Sequence, residues 1–341
     1  MNSNSTNSIP EALKIGPYTL SGHALLAPMA GITDSVYRAI CMQAGAAATV
    51  SEMLTSDIAQ WKSNKSSNRI IKPSDPEPRI VQIAGTKPDV MATAAKLCVD
   101  KGAQIVDINM GCPAKKVCRS NAGSALLADE SNVARILDAV VNAVHAPVTL
   151  KIRTGIDPEN KNAISIAKIA EAAGIQSLAI HGRTRQCMYK GNADYQTIKS
   201  VKKEVGIPVI ANGDINSPQT AKKVLAFTGA NAIMIGRAAQ GNPWIFRQVN
   251  YLLKNKKTLP TPSLEEIESV VATHTTGLYT HYGIKVGVRV ARKHITWYLK
   301  NYKGYAIFKD LLLKTDCPKQ QQQLLKEFFT YQRTNITELA A

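Results

Sequence analysis

The sequence predicts an α/β protein, a (β/α)8 TIM barrel followed by a small all-helical C-terminal domain. Over about the first 245 residues, short apolar runs alternate with amphipathic helix patterns, as the strands and helices of this barrel do. After the segment Leu259-Pro260-Thr261-Pro262 the strand-like runs stop and only helix patterns follow. An open doubly wound sheet is the competing fold. It usually carries a GxGxxG fingerprint after its first strand, and this chain has no such motif.

Each predicted strand is an apolar run that ends in a polar or Gly-rich loop. Strand composition is strongest in Ile105-Val106-Asp107-Ile108 and in Val209-Ile210. The eight runs are Ala24–Pro28, Ala48–Ser51, Ile80–Ile83, Ile105–Asn109, Val148–Lys151, Leu178–His181, Val209–Asn212 and Ala232–Ile235.

The helices between the strands have one apolar face each. Ser217-Pro218 reads as an N-cap followed by proline at the first helical position. Gly174 ends a stripe formed by Ile166, Ile169, Ala170 and Ala173. Another stripe has the i, i+3, i+4, i+7, i+8, i+11 spacing and consists of Val133, Ile136, Leu137, Val140, Val141 and Val144.

These patterns divide the chain into residues 1–12 as a disordered tail, 13–258 as the barrel and 263–341 as the helical domain. The Ser/Asn-rich start lacks the positive and apolar regions of a signal peptide. No run of 18 apolar residues occurs, so we expect no membrane span. The predicted helices of the C-terminal domain are Leu264–Tyr282, Lys285–Asn301, Tyr305–Leu313 and Gln320–Arg333.

Charge and cysteine content bear on partners and on metal sites. The net charge of +17, from 42 basic and 25 acidic residues, favours a polyanionic partner over simple solubility. None of the six cysteines has CxxC spacing, which argues against zinc and iron–sulfur centres. We therefore expect reduced thiols, no metal and a cytoplasmic location. No GxxxxGK[ST] motif occurs, so an ATP-type P-loop is absent.

All eight predicted strands end in polar or Gly-rich sequence. In a barrel of this kind the carboxyl ends of the strands converge on the catalytic mouth. A strand must end somewhere and loops are polar, so one such position means little, but the repetition favours a site. The strand-end groups are Pro28-Met29-Ala30-Gly31, Ser51-Glu52, Gln82, Asn109 with Gly111-Cys112-Pro113, Lys151 with Arg153, His181-Gly182-Arg183, Asn212-Gly213-Asp214 and Gly236-Arg237.

The loops after strands 7 and 8 suggest a phosphate site. Gly213 and Gly236 would let backbone N–H groups approach phosphate oxygens, and Arg237 adds a charged donor, although both glycines fit plain turns. Lys151 ends strand 5, where a fixed cation could stabilise negative charge on a cofactor ring; the alternative is a surface lysine. Gln82 offers a donor and an acceptor, and could equally be a structural amide.

Cys112 follows strand 4 in a turn between Gly111 and Pro113. A thiol with an ordinary pKa of roughly 8.5 is mostly protonated at neutral pH and could donate a proton to a carbanion. That role requires Cys112 to escape strong influence from Lys151, because a near cation favours the thiolate. The alternative is an inert buried cysteine.

Five ordered motifs resemble those of the tRNA-dihydrouridine synthases, and most of all their bacterial DusB branch. The match runs from about Ile15 into the helical tail, and Tyr195 stands near a position where many relatives have Trp. The motifs are Ala27–Asp34, Asp107–Pro113, His181–Arg185 with Tyr189, Gly191 and Ala193–Tyr195, then Asn212–Ile215 and Ile235–Ala239.

The resemblance implies FMN at the barrel mouth, reduced by NADPH, and reduction of a flipped-out uridine in tRNA. Hydride would reach C6 of the uracil and Cys112 would protonate C5. Asn109, Arg153 and Arg183 are then candidate contacts to uracil or phosphate. The residues implied to bind the cofactor are Pro28, Met29, Ala30, Gln82, Lys151, His181, Asn212, Gly213, Asp214, Gly236 and Arg237.

The C-terminal helical domain carries a basic helix pattern that suits phosphate contact, although such a face is often only solvated. Lys285, Arg289, Arg292 and Lys293 follow one another at helical spacing with no acidic residue between them. Two rivals stay open: an FMN barrel acting on a small molecule, and an RNA-binding protein that lost catalysis. We expect a monomer. The motifs specify neither the uridine position, nor NADPH over NADH, nor roles for Cys118 and Cys187.

Overall fold

We describe the fold from a computed structural model, which describes residues 11–340, and their side chains except those of 64, 65 and 336–340. The predicted tail, residues 1–12, therefore lies almost wholly outside the described residues. The first element is a small antiparallel ribbon, in which Lys14 pairs with Thr19 and Ile15 with Tyr18. Its strands are β1 (Lys14–Ile15) and β2 (Tyr18–Thr19).

Eight parallel strands form one curled sheet in the order β3-β10-β9-β8-β7-β6-β5-β4. Their side chains are buried on both faces, which explains why the sequence shows continuous apolar runs and no alternation. The strands are β3 (Ala24–Leu26), β4 (Leu54–Thr55), β5 (Ile80–Ala84), β6 (Ile105–Met110), β7 (Val148–Arg153), β8 (Leu178–His181), β9 (Val209–Asn212) and β10 (Ala232–Ile235).

The second predicted strand, Ala48–Ser51, is the one departure from regular pairing. Thr49 bridges to Leu26 and Val50 to Ile80, so this segment still closes the sheet between β3 and β5. The chain then leaves the ladder, and the regular strand at this place is β4, two residues long. The buried Glu52 lies in the gap, and a buried carboxylate needs hydrogen-bond donors that a strand ladder does not offer to a side chain.

Helices alternate with the strands, as predicted. Ser217 caps its helix by accepting a hydrogen bond from the N–H of Thr220, and Val133, Ile136, Leu137 and Val140 are buried. The helices are α1 (Ser35–Gln43), α2 (Asn64–Ser67), α3 (Pro88–Asp100), α4 (Lys115–Cys118), α5 (Glu130–Val141), α6 (Ala163–Ala172), α7 (Tyr195–Glu204), α8 (Pro218–Thr228) and α9 (Ile245–Asn255). Short 3-10 helices lie at Ile58–Lys62, Gly123–Ala128 and Arg237–Ala239.

The chain divides into two compact units. Among the described residues, the barrel unit comprises 11–236 and Phe246–Thr258, and the helical unit comprises Arg237–Ile245 and 259–340. The main helices of the second are α10 (Leu264–Tyr282), α11 (Ile284–Leu299), α12 (Tyr305–Lys314) and α13 (Pro318–Ala340).

Small and aromatic residues hold the helical unit together. A Cβ added to Gly287 would lie 2.5 Å from the carbonyl oxygen of Leu278, so glycine permits the close approach of α10 and α11. Phe328 and Phe329 are fully buried and pack edge to face at 5.3 Å. None of the helices in the described part of the chain is long and apolar enough to cross a membrane.

Candidate active site

The polar strand ends of the barrel meet as the sequence predicts, because neighbouring parallel strands place them in register. Gln82 pairs with Asp107, Asn109 with Lys151, and His181 with Asn212. These side chains are buried or half-buried, although all six are polar or charged. Within residues 11–335, no group of three or more His, Cys, Asp or Glu side chains is arranged to hold a metal ion.

The side-chain amide of Asn109 holds the Cys112 turn through two hydrogen bonds. The Asn109 Oδ1 accepts the backbone N–H groups of Gly111 at 3.1 Å and of Cys112 at 2.9 Å. Its Nδ2 donates to Gln82 Oε1 at 2.7 Å, and Gln82 Nε2 donates to Asp107 Oδ2 at 2.7 Å. The side-chain amides that we assigned to substrate and cofactor therefore also support the turn.

The Cys112 thiol is half-buried, and burial raises its pKa. The backbone N–H of Ala114 and the charges of Arg153 and Lys151 act in the opposite direction, but more weakly. The condition set by the sequence is met, since the thiol stays protonated at neutral pH despite a nearby cation. Ser124 fixes the other side of the turn by donating from both N and Oγ to the Cys112 carbonyl, at 3.0 and 2.9 Å.

Lys151 is a buried cation. Its Nζ donates to Asn212 Oδ1 at 3.0 Å, while Asn212 Nδ2 donates to the carbonyl of Met234 at 2.7 Å. Burial, reinforced by the charge of Arg153, lowers the pKa of Lys151 to about 8. The neighbouring Asp107 acts against this shift but does not cancel it. An anion brought close to Lys151 would therefore be stabilised.

Arg153 is a fully buried clamp between two loops. Its Nε donates to the Gly111 carbonyl at 2.9 Å, and its Nη1 donates to the carbonyls of Thr184 and Met188, each at 2.8 Å. The guanidinium also lies 5.6 Å from the centre of the exposed Tyr189 ring. Arg153 thus ties the Cys112 turn to the loop after β8.

Arg183 and Asp214 form a two-bonded ion pair. Arg183 Nη1 and Nη2 donate to the two carboxylate oxygens of Asp214 at 2.8 and 2.7 Å. Arg183 also donates to the carbonyls of Lys190 and Gly191, and Asp214 accepts the N–H of Ala193 at 2.8 Å. Both side chains, which the resemblance assigned to substrate and cofactor, shape the loop around residues 190–193.

Gly213 is a glycine for a structural reason. Its φ is +119°, and an added Cβ would lie 2.9 Å from His181 Cδ2 and from the Ala193 Cβ. Gly236 differs, because a Cβ there would meet only Met29 Sδ at 3.6 Å and Ala27 Cβ at 3.8 Å. A Cβ at residue 236 would therefore make ordinary van der Waals contacts, so sterics do not require glycine there as they do at residue 213.

The β3 turn, Pro28 to Gly31, is stabilised by Thr33, which follows it, and by Glu52, which follows the second predicted strand. Thr33 Oγ1 accepts the N–H of Met29 at 3.0 Å, and Glu52 Oε2 accepts the N–H of Gly31 at 2.6 Å. Pro28 and Met29 are half-buried, whereas Ala30 is exposed. Arg237 is exposed and begins the 3-10 helix after Gly236; it belongs to the helical unit.

The sequence reasoning missed several supporting residues. Asp107 and Thr149 are polar residues inside apolar strands, and that placement was the available signal. Thr149 Oγ1 donates to Asp107 Oδ1 at 2.6 Å. Glu52 was noted only as a strand end, but its Oε2 also forms an ion pair with Arg69 Nη2 at 2.8 Å. Ser124 carried no signal, because its contact depends on how the loop folds back.

The basic residues of the tail lie on α11 of the helical unit. Lys285 and Arg289 are exposed, whereas Arg292 and Lys293 are half-buried. Asp316, in the connection between α12 and α13, accepts from Arg292 at 2.7 Å and lies 3.5 Å from Arg289. The helix itself has no acidic residue, but folding brings one against its basic face.

Comparison with known proteins gives a consistent result. A family model described as dihydrouridine synthase matches residues 25–333. The chain is 52% identical to tRNA-dihydrouridine synthase B of Pseudomonas aeruginosa over 96% of this chain and 99% of that protein. It is 54% identical to the protein of that name from Pseudomonas syringae pv. tomato, over 94% and 95%, and 51% identical to that of Vibrio vulnificus, over 93% and 98%.

Solved structures support the fold. A 2-naphthoyl-CoA reductase complex superposes with a TM-score of 0.56 at 14% identity, covering 71% of this chain and 52% of that one. Histamine dehydrogenase from Rhizobium sp. 4-9 superposes with a TM-score of 0.54 at 11% identity, covering 79% and 50%. At such low identity the likeness concerns the barrel architecture alone.

Proposed function

The chain belongs to the dihydrouridine synthase family, and we propose that it reduces the C5–C6 bond of a specific uridine in tRNA to 5,6-dihydrouridine, with FMN as cofactor and NADPH as reductant. The observation that carries the proposal is the Cys112 turn. A thiol that burial keeps protonated lies at the barrel mouth, on a turn held by Asn109 and Arg153.

The mouth has the groups that a flavin mononucleotide requires. Lys151 is a buried cation that an added anion would stabilise, and Gln82 presents an amide. Gly213 and Gly236 follow strands 7 and 8, where this fold often holds phosphate. We propose that these residues hold FMN, together with Pro28, Met29, Ala30, His181, Asn212, Asp214 and Arg237.

When bound, reduced FMN supplies the hydride for C6 of the uracil. The protein's part is to place the base and to deliver the proton. Cys112 Sγ holds the proton that C5 receives, and Lys151 balances negative charge near the ring. Arg153 and Arg183 keep the loops around the base in place through their bonds to backbone carbonyls. A base within folded RNA must leave its stack to enter such a mouth.

We propose that the helical unit contributes tRNA contacts through the basic face of α11, defined as Lys285, Arg289, Arg292 and Lys293. Lys285 and Arg289 are exposed, and the chain as a whole carries a charge of +17. Electrostatic attraction to phosphates supplies sequence-independent affinity of this kind. The monomeric state and the cytoplasmic location stay predictions from the sequence.

The test combines a spectrum with a modification assay. The purified protein should show a flavin spectrum, consume NADPH, and add two hydrogens to a uridine in tRNA that lacks dihydrouridine. Cys112→Ala should lower the rate of uridine reduction by about 10²-fold or more, while NADPH still reduces the flavin. Cys317→Ala is the matched control, because that thiol is exposed in the helical unit.

Two results would contradict the proposal. An unchanged rate in Cys112→Ala would remove the thiol from proton transfer. A flavin that NADPH reduces, without any mass gain on tRNA, would favour reduction of a small molecule by the same barrel.

A further inference from the structure

We propose that Asp107 is a positioning residue, whose carboxylate sets the direction of a hydrogen-bond relay that runs through Gln82 and Asn109 to the Cys112 turn. Asp107 does not reach the turn itself. It acts through the orientation of two side-chain amides, and no role in the family resemblance accounts for it.

The strand register brings the relay together. Gln82 on β5, Asp107 on β6 and Thr149 on β7 are direct neighbours in the parallel ladder. Asn109 lies two residues beyond Asp107 on β6, so its side chain points to the same face of the sheet. All four residues are at least nine-tenths buried, which removes water as an alternative partner for most of their polar atoms.

The bonds have a single consistent direction, starting from the turn. The backbone N–H groups of Gly111 and Cys112 can only donate, so the Asn109 oxygen must face them. The Asn109 nitrogen then faces Gln82, which has to present its oxygen at 2.7 Å. The Gln82 nitrogen consequently faces Asp107 at 2.7 Å.

The far end of the relay supplies what this direction requires. An ionised carboxylate accepts hydrogen bonds and cannot donate, so Asp107 ends the chain of donors. Thr149 donates to its second oxygen at 2.6 Å. If either amide were turned over, two donors would meet in a buried space, at the cost of unsatisfied polar groups. A carboxylate at residue 107 accepts at both oxygens and so favours the one orientation of both amides that the N–H groups of the turn require.

Burial by itself makes this carboxylate unfavourable. It raises the pKa of Asp107, against the hydrogen bonds of Thr149 and Gln82 and the charge of Lys151. An apolar residue in a central strand would pack at lower cost. The relay gives a reason for an acidic residue here, namely that it defines which edge of the Gln82 amide is available and how tightly the Cys112 turn is held. The catalytic consequence rests on the proposed function, whereas the hold on the turn does not.

The reactivity of the Cys112 thiol reports on the turn without any catalysis. Asp107→Leu removes the acceptor for Gln82, and we expect alkylation of Cys112 by iodoacetamide to accelerate about fivefold to tenfold, as for local opening after the loss of about one net hydrogen bond. Peptide mass spectrometry separates Cys112 from Cys317, whose exposed thiol serves as the internal reference in every sample.

Asp107→Asn is the matched conservative variant. The introduced amide can accept from Gln82 with its oxygen and donate to Thr149, whose hydroxyl can turn to accept. The direction of the relay survives, so alkylation should stay within about twofold of wild type. Gln82→Leu interrupts the relay one step later, and it should accelerate alkylation as Asp107→Leu does. This second interruption tests the relay even if Asp107→Leu fails to fold.

Two results would overturn the inference. One is a rate of Cys112 alkylation equal to that of wild type in a folded Asp107→Leu or Gln82→Leu protein. The other is an acceleration in Asp107→Asn as large as that in Asp107→Leu, since the effect would then follow charge and not direction. The assay needs neither tRNA nor NADPH. If wild-type protein leaves tRNA unmodified while the alkylation order holds, the proposed function fails and the relay stands.

Discussion

Replacing Lys151 by methionine should stabilise the protein and impair its chemistry. The Lys151 side chain is 9% exposed and forms one hydrogen bond, to Asn212, among the described residues. Burial lowers its pKa from the ordinary 10.5 to about 8. At neutral pH the folded protein therefore holds the ammonium charge at a cost of about 3 kcal/mol.

The expected gain follows from two opposing contributions. Lys151→Met removes that cost while keeping most of the side-chain volume. It also leaves Asn212 Oδ1 without its donor, which costs about 1–2 kcal/mol. The variant without cofactor should therefore unfold with a free energy about 1–2 kcal/mol higher than wild type near pH 7. Reduction of uridine should fall by about 10²-fold, because a positioned charge at the ring is lost.

The dependence on pH gives the prediction its sign. The pKa of Lys151 is lower in the folded protein than in the unfolded chain, so the unfolded chain binds more protons between about pH 8 and 10.5. The contribution of this lysine to the stability of wild type therefore rises with pH across that window. The advantage of Lys151→Met should shrink over the same range.

Urea unfolding of both proteins without cofactor, at pH 7, 8, 9 and 10, measures the difference. A constant difference in unfolding free energy across that range would refute the reasoning, because it would show that the lysine is not perturbed. A variant less stable than wild type at pH 7 would show that the bond to Asn212 outweighs the cost of burial.

Three further predictions concern other parts of the chain. Gly213→Ala should lower the unfolding free energy by about 2 kcal/mol or more and weaken flavin retention, because its φ is +119° and the added Cβ would contact His181; urea unfolding and the flavin-to-protein absorbance ratio test this. Burial lowers the pKa of His274 to about 3, so below about pH 6.5 the unfolded chain binds a proton that the folded protein does not. The unfolding free energy should therefore fall as pH drops from 6.5 towards 3. His274→Leu should make this fall shallower when unfolding is followed by far-UV circular dichroism. A plot of the logarithm of tRNA affinity against the logarithm of salt concentration should have a slope of about −0.7 to −0.9 per phosphate contact. Lys285→Ala should make this slope less steep by about one contact.

The fold was predictable because burial on both faces leaves a direct mark on the sequence. Seven of the eight apolar runs are regular parallel strands within a residue or two of the predicted bounds. The run Ala48–Ser51 is wrong as a regular strand, since only single bridges form there. Its side chains fit a strand, but the adjacent Glu52 accepts from the N–H of Gly31, some twenty residues earlier, and no local pattern shows that bond.

The location of the candidate site was predictable, but the partners of its side chains were not. Converging strand ends place Gln82, Asn109 and Lys151 together whatever their bonds are. What Arg153 donates to depends on the carbonyls of a loop more than 30 residues away in sequence. Backbone carbonyls are the same in every residue, so a sequence contains no sign of which one a guanidinium will meet. Contact of Arg153 with uracil or phosphate therefore stays a prediction.

Arg153, Arg183 and Lys151 divide into two kinds by their hydrogen bonds, and this division bears on the proposed reaction. Arg153 donates to three carbonyls, and Arg183 to two carbonyls and the carboxylate of Asp214, so moving either would break several bonds at once. Lys151 has one hydrogen bond among the described residues and a pKa of about 8, so its charge responds to what lies beside it. The proposed function would use two features here, rigid loops around the bound ring and a buried cation beside it. The arginines provide the first and Lys151 the second, and for this reason Lys151, although it makes the fewest contacts of the three, should give the largest loss of activity relative to its effect on folding.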